Sequence, residues 1–512
     1  MLSLRQSLAT IGKPPPIRIP RDISIPCKSL RDTLIAWNHI PYALLIIAPQ
    51  EFVEAVMPLA AHKNNIGIPT KILSLEQIYQ TYRGRDEAEK VKRCLALFQP
   101  NNGVRYAMLV GDGDRFPSRY IKWWNKISDS DPQCSTLYVP VDLYYAALFK
   151  KDGSFDDWDG NHNGYFGEIP QDSSSDPINP DNVNVIPNLA VGRIPASTVP
   201  EVKVYVSKVI NYERGTYGSS WAKTVLLVAA TNRIGNPCVI LEDIEAKYLR
   251  DFIVHKLYQR DRVSLREWLA TIGKTPPIRI PRDITMCSKS LRVSLFHLRP
   301  HPCQKTEELN PEAINAYINQ GTRFVCYSGH GGRDGWGIPN GGYGFNNVAS
   351  LSNSGKLPVV FSTGCDTGSF TTIPPFNTYR DINGTQHKGT NDGEVFKSTP
   401  PQPACLQPKE YESMAEEMTV KRETGAVAYI GSVTTGHVGE ALLQLFLKSV
   451  SAGRETLGDM WLGMLNEYYR QHVPPNPSTA ANKLGFEVTY FLEPWRFHLF
   501  GDPSLRVSQK IG

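Results

Sequence analysis

Short apolar runs that alternate with helical patterns constrain this chain more than any other feature. "YALLIIAPQEF" (Tyr42–Phe52) reads as a buried strand, and "VEAVMPLAAHKNN" after it as a helix. "YAMLVGDGDRFP" (Tyr106–Pro117) is a second strand turning on glycines, and "VKVYVSKVINYERG" (Val202–Gly215) a helix with apolar residues three and four apart. A second alternating set begins at "WAKTVLLVAATN" (Trp221–Asn232), continues with "EDIEAKYLRDFIVHKLY" (Glu242–Tyr258) as helix, and then "NPEAINAYINQG" (Asn310–Gly321) as helix. "TRFVCYSGHGG" (Thr322–Gly332) and "LPVVFSTGC" (Leu357–Cys365) follow as strands, "ESMAEEMTVKRETG" (Glu412–Gly425) as helix and "AVAYIGSV" (Ala426–Val433) as strand. The order implies an α/β chain with mostly parallel sheets flanked by helices. Two such blocks imply two α/β subdomains, 41–215 and 216–512.

One segment stands outside this alternation. "LRQSLATIGKPPPIRIPRDISIPCKSLRDTL" (Leu4–Leu34) recurs as "LREWLATIGKTPPIRIPRDITMCSKSLRVSL" (Leu265–Leu295). Two copies do not make a solenoid, and the proline density prevents a long helix. The first copy forms an N-terminal extension, 1–40. The second reads as an insert at about 258–300, tolerated because long loops cost little extra closure entropy; a docking or regulatory segment is the other reading. Residues 371–410, rich in Pro, Thr, Asn and Gly, read as a long surface loop.

Composition excludes several classes. The net charge of +5 over 512 residues is small and scattered, which gives no case for nucleic acid. No apolar run approaches the roughly 18 residues of a membrane span, and the N-terminus has no continuous apolar stretch of a signal peptide. The compartment stays unassigned. Nine cysteines with no CxxC pair argue against a zinc ribbon and a fully paired disulfide framework. Cys326, inside an apolar run, is expected to be a buried thiol.

Chemistry concentrates in "FVCYSGHGGRDGW" (Phe324–Trp336) and "LPVVFSTGCDTGSF" (Leu357–Phe370). Each ends an apolar run in a reactive side chain flanked by glycine, His330 in the first and Cys365 in the second. In a parallel sheet, ligands gather at the C-terminal strand ends. A thiolate there can attack a peptide carbonyl, and a nearby imidazole can protonate the leaving amine. The backbone N–H groups of Gly331 and Cys365 are candidate oxyanion donors.

These motifs resemble the gingipain-type cysteine peptidases, which share the caspase-like fold. "LLIIAPQEFVEAVMPLAAHKNNIGIPTKI", "YAMLVGD", "LAVGRIPASTVPEVKVYVSKVINYE", "GAVAYIGSV" and "FHLFGDPSLRV" extend the resemblance over about residues 41–257 and 305–508. It implies two caspase-like α/β subdomains and an endopeptidase acting on protein or peptide substrates after Arg or Lys. His330 would be the general acid and Cys365 the nucleophile. Asn232 lies where an acidic residue orients the histidine in arginine-cleaving members. Asp243 matches the carboxylate of the basic-residue S1 pocket, whose aromatic wall is replaced by His437 or Val438. The alternative is a catalytically silent relative that binds peptides or a partner.

"DDWDGNHNGYFGE" (Asp156–Glu168) is a separate signal. Asp157, Asp159, Asn161, Asn163 and Glu168 set hard oxygen ligands at close spacing, with glycines for a sharp loop, and point to structural calcium. The same spacing also suits metal-free Asx turns.

Overall fold

The computed structural model describes residues 41–124, 136–170, 177–215, 219–231, 237–259, 307–436, 439–473 and 484–507. Both repeat copies, Asn232, His437 and Val438 lie outside the described residues.

Eleven strands form one sheet: β1 (Leu44–Ala48), β2 (Thr70–Ser74), β3 (Tyr106–Val110), β4 (Ala190–Ile194), β5 (Thr224–Ala229), β6 (Ile253–Tyr258), β7 (Glu307–Glu308), β8 (Phe324–Ser328), β9 (Val359–Ser362), β10 (Ala428–Ser432) and β11 (Phe497–Phe500). Their spatial order is β2-β1-β3-β4-β11-β10-β9-β8-β5-β6-β7. Every neighbouring pair is parallel except β10 and β11. Strands such as "LLIIA" and "YAMLV" are buried at every position, as a sheet covered by helices on both faces requires. The expected mostly parallel α/β fold is therefore present. The two sequence blocks share a single sheet, joined where Phe500 of β11 sits opposite Arg193 of β4.

Residues Glu242–Tyr258 do not form one helix. The helix runs Cys238–Tyr248, and Ile253–Tyr258 is strand β6, paired in register with β5 from Thr224–Ile253 to Ala229–Tyr258. Adjacent β-branched Ile253 and Val254 favour the extended chain, and the pairing available along β5 overrides the helical spacing. The loop at 371–410 is less free than its composition suggests. It holds a hairpin, Tyr379–Arg380 with Gln386–His387, and is stitched to the first block by Tyr138 N–H to Pro374 O (2.7 Å), Ser118 N–H to Cys405 O (2.8 Å) and Gln407 N–H to Gly113 O (3.0 Å). Cys94 and Cys326 are buried free thiols, as expected for Cys326, and Cys238 is disulfide-bonded. Among the described residues no helix is long and apolar enough to cross a membrane.

Buried charge holds the junction of the two blocks. Arg193, fully buried, makes a two-pronged contact with Asp142 at 2.8 and 2.6 Å and donates to Gly111 O at 3.0 Å. Burial raises the Asp142 carboxyl, but the Arg193 charge and hydrogen bonds outweigh it and hold the group below its usual range. His498 of β11 packs beside this pair. Its Nε2 accepts the Asp142 N–H at 3.0 Å, so that nitrogen carries no proton. Burial, against the opposing field of Asp142, lowers its pKa to about 4.

His498 makes the junction acid-sensitive. The unfolded chain takes up this proton near pH 6.5 and the folded one near 4, so stability is lost as pH falls through that window. The contribution is about 3 kcal/mol at most. His498→Gln keeps an acceptor without a titrating proton. It should flatten the pH dependence of urea unfolding between 6.5 and 4; an unchanged slope would assign the acid lability elsewhere.

Candidate active site

The site is built by register. β8 and β9 pair in parallel, with Tyr327 opposite Ser362. His330 lies three residues beyond Tyr327, and Cys365 three beyond Ser362, so equal offsets carry both to the same end of adjacent strands. Neighbouring strands are about 4.8 Å apart. The Thr363 N–H still bonds Tyr327 O at 3.0 Å, which extends the pairing toward the two motifs.

Glycine permits the approach that follows. A Cβ on Gly331 would lie 2.7 Å from Gly364 Cα and 2.8 Å from Cys365 O, and one on Gly364 would lie 3.0 Å from Gly331 Cα. The backbones flanking His330 and Cys365 are thus in direct contact. Under the histidine loop, Tyr327, Trp336 and Tyr343 stack at centroid separations of 4.7 and 5.1 Å. Tyr327 Oη donates toward His330 O and Gly337 O. Ser362 Oγ accepts from Gly364 N–H at 3.2 Å and so shapes the cysteine turn.

Cys365 is half-buried, and its thiol donates weakly to Gly436 O at 3.9 Å. Burial pushes the thiol above its ordinary pKa, with the Gly436 contact opposing. His330 is exposed, and its ring has no hydrogen-bond partner among the described residues. The Gly337 N–H donates to His330 O, so by antiparallel alternation Gly331–Trp336 is a non-hydrogen-bonded pair and the Gly331 N–H is directed away from that ladder. The Cys365 N–H bonds no backbone carbonyl among the described residues.

Asp243 is placed elsewhere. It lies midway along the Cys238–Tyr248 helix, 48% exposed and paired with Lys247 at 2.5 Å. Its surroundings are those of a solvated helix carboxylate. Another carboxylate lies beneath the two strand ends. Glu440 opens the helix Gly439–Ser451, and its Oε1 accepts from Ser328 Oγ at 2.8 Å and lies 3.5 Å from Thr363 Oγ1. Those hydroxyls precede His330 and Cys365 by two residues each. Burial raises the Glu440 carboxyl, with the Ser328 hydrogen bond opposing. Behind it, the buried guanidinium of Arg496 pairs with Glu493 and donates to Thr435 O, holding the turn that carries Gly436.

The oxygen-rich loop contains Asx turns and an organic cation. Arg85 bonds Asp159 at 2.6 Å and Asp157 at 3.1 Å, while Asn161 and Asn163 donate to Glu168 Oε2. Among the described residues no three His, Cys, Asp or Glu groups converge as a metal cage. The Arg85 guanidinium already compensates the two carboxylates, so a metal cation there would have to displace it.

A mostly parallel sheet thus carries His330 and Cys365 at the ends of adjacent strands. The model of peptidase family C25 matches residues 39–508, and the chain belongs to that family. It is similar to Gingipain R2 of Porphyromonas gingivalis, with 20% identity over 328 residues, covering 64% of this chain and 32% of that protein. The chain thus spans about a third of that relative's length. The crystal structure of the Arg-specific cysteine proteinase gingipain R matches with a TM-score of 0.53 at 15% identity, over 91% of this chain and 78% of that one. The complex of the pro- and mature domains of Porphyromonas gingivalis RgpB matches at 0.51 and 16%, over 91% and 81%.

The glycine contact is testable without a substrate. Gly331→Ala forces backbone atoms apart, an overpacking cost of about 1–3 kcal/mol. Urea unfolding should show that loss, whereas Gly215→Ala, at an open position without a positive φ, should not. A Gly331→Ala protein as stable as the parent would mean the strand ends are farther apart than described.

Proposed function

We propose that this chain is a cysteine endopeptidase using Cys365 and His330. The observation that carries the reading is the equal offset of the two residues beyond the paired Tyr327 and Ser362. Cys365 gives its proton to His330, and the thiolate forms a C–S bond with the scissile carbonyl. The oxyanion is held by the N–H groups of Gly331 and Cys365. Collapse breaks the C–N bond as His330 protonates the leaving amine, and water then hydrolyses the thioester with His330 accepting its proton. Asn232, by the family resemblance, would orient the ring.

The same resemblance supports cleavage after Arg or Lys. Glu440, beneath both strand ends, suits the P1 cation better than the exposed Asp243. Glu440→Gln should lower kcat/KM for basic P1 peptides by about a hundredfold or more, the scale of losing a desolvated partner to a cation. Asp243→Asn should change it less than about threefold, since an exposed pair contributes little. The reverse order of effects would restore Asp243 to the pocket.

Cys365→Ala should abolish hydrolysis, and Cys326→Ala should leave it intact. The raised thiol pKa predicts that iodoacetamide labelling of Cys365 keeps climbing as pH rises above 9. That raised pKa also favours the rival reading, a silent peptide binder. A basic peptide carrying a thiol-reactive group decides: Cys365-dependent labelling at neutral pH belongs to the enzyme alone.

Calcium remains a proposal for the Asp157–Glu168 loop, where it would have to displace Arg85. Melting temperature in chelator and in excess calcium tests it. A rise with calcium, larger in Arg85→Ala, supports binding by mass action; no rise in either form leaves the loop to Arg85.

A further inference from the structure

A cleft of about 410 Å³ adjoins Cys365 through Asp366, and Glu440 is not among its lining residues. It is lined by Asp366, next to the nucleophile, and by Arg333, three residues after His330. Thr434 and Thr435, which precede the thiol's acceptor Gly436, and Asp114, Lys409, Glu410 and Tyr411 complete the walls used here.

Its charges are unevenly committed. Lys409 Nζ bonds Asp112 at 2.6 Å and Glu412 at 3.1 Å and also pairs with Glu416, so its charge is spent. Asp114 accepts from Ser197 Oγ at 3.0 Å and meets Arg115 at 3.4 Å. The carboxylates of Asp366 and Glu410 have no hydrogen bond or ion pair among the described residues, and Glu410 Oε2 is buried without a partner. Arg333 forms no ion pair there and lies over the Tyr411 ring at 3.8 Å. Asp366 is also held at φ +58°, a left-handed conformation costly for a side-chain-bearing residue. Its N–H to Thr434 O (3.2 Å) and its carbonyl to the Ser369 N–H (3.0 Å) fix it there. A buried carboxylate without a partner is costly, and a cation delivered by a ligand supplies one.

We propose that this cleft is a second specificity subsite, in which Asp366 and Glu410 receive a Lys or Arg of the substrate at a position other than P1. The proposal rests on the peptidase reading. Arg333, parked on Tyr411, is the internal competitor for the same carboxylates. Burial, opposed by Arg333 and Arg496, raises the Asp366 carboxyl to about 6, so the charge that would recognise the cation is present at neutral pH.

The test is a positional peptide library cleaved by the full chain, with fluorescence anisotropy of the same peptides on the Cys365→Ala form. Basic residues should be preferred at one non-P1 position by about tenfold. Asp366→Asn should bring that ratio near unity, because Asn also tolerates the left-handed conformation. Glu410→Gln should lower it independently, and Arg333→Ala should raise it. Melting temperatures check that each variant folds. Cleavage dependent on Cys365 and selective only at P1 would overturn the subsite and leave the peptidase standing. No cleavage and no Cys365 labelling would remove the peptidase reading. Anisotropy would then read the cleft alone: Asp366-dependent binding of basic peptides would keep it, and equal binding of neutral peptides would discard it.

Discussion

The contact between Gly331 and Gly364 is the constraint on which the site depends. Parallel pairing of β8 and β9 brings two strand ends level, but side chains would keep the chains apart as they leave the sheet. Removing both Cβ atoms lets the backbones touch. The reactive groups then hang from one rigid platform rather than from two loops, and rigid elements position chemistry better than mobile ones. The aromatic stack under the histidine loop and the Ser362 bond under the cysteine turn fix the platform from below.

Around that platform, buried charge is arranged in two styles. At the sheet junction Arg193 and Asp142 satisfy one another almost completely, which makes them structural. Beside Cys365 the balance is incomplete: Glu440 leans on hydroxyls, and Asp366 and Glu410 form no ion pair among the described residues. Incompletely compensated groups near reactive ones are the pattern of a site waiting for a charged ligand.

Much of this was legible in the chain itself. That His330 and Cys365 end strands was legible because an apolar run ending in glycine has few explanations other than a buried strand opening at its end. The family followed from those motifs and from "FHLFGDPSLRV". Glu440 was invisible because its meaning comes from Ser328 and Thr363, distant in sequence. Asp243 is exposed and paired with Lys247, a surrounding that a matching position in the sequence does not reveal. The Asp157–Glu168 spacing suits calcium and Asx turns alike, and the Arg85 that bonds its carboxylates comes from a remote segment. β6 was misread because its half-exposed residues carry no strict alternation, only the pairing offered by β5.

The position of β11 has a consequence for the order of events in synthesis. It follows all the other strands in the chain, yet it lies in the middle of the sheet and supplies the link between β4 and β10. A ribosome-bound chain can therefore assemble each parallel block, but not join them, until residues 497–500 have emerged. His330 and Cys365 would belong to a half-supported sheet until then. Support for the strand ends that carry His330 and Cys365 thus waits on β11, a timing written into topology.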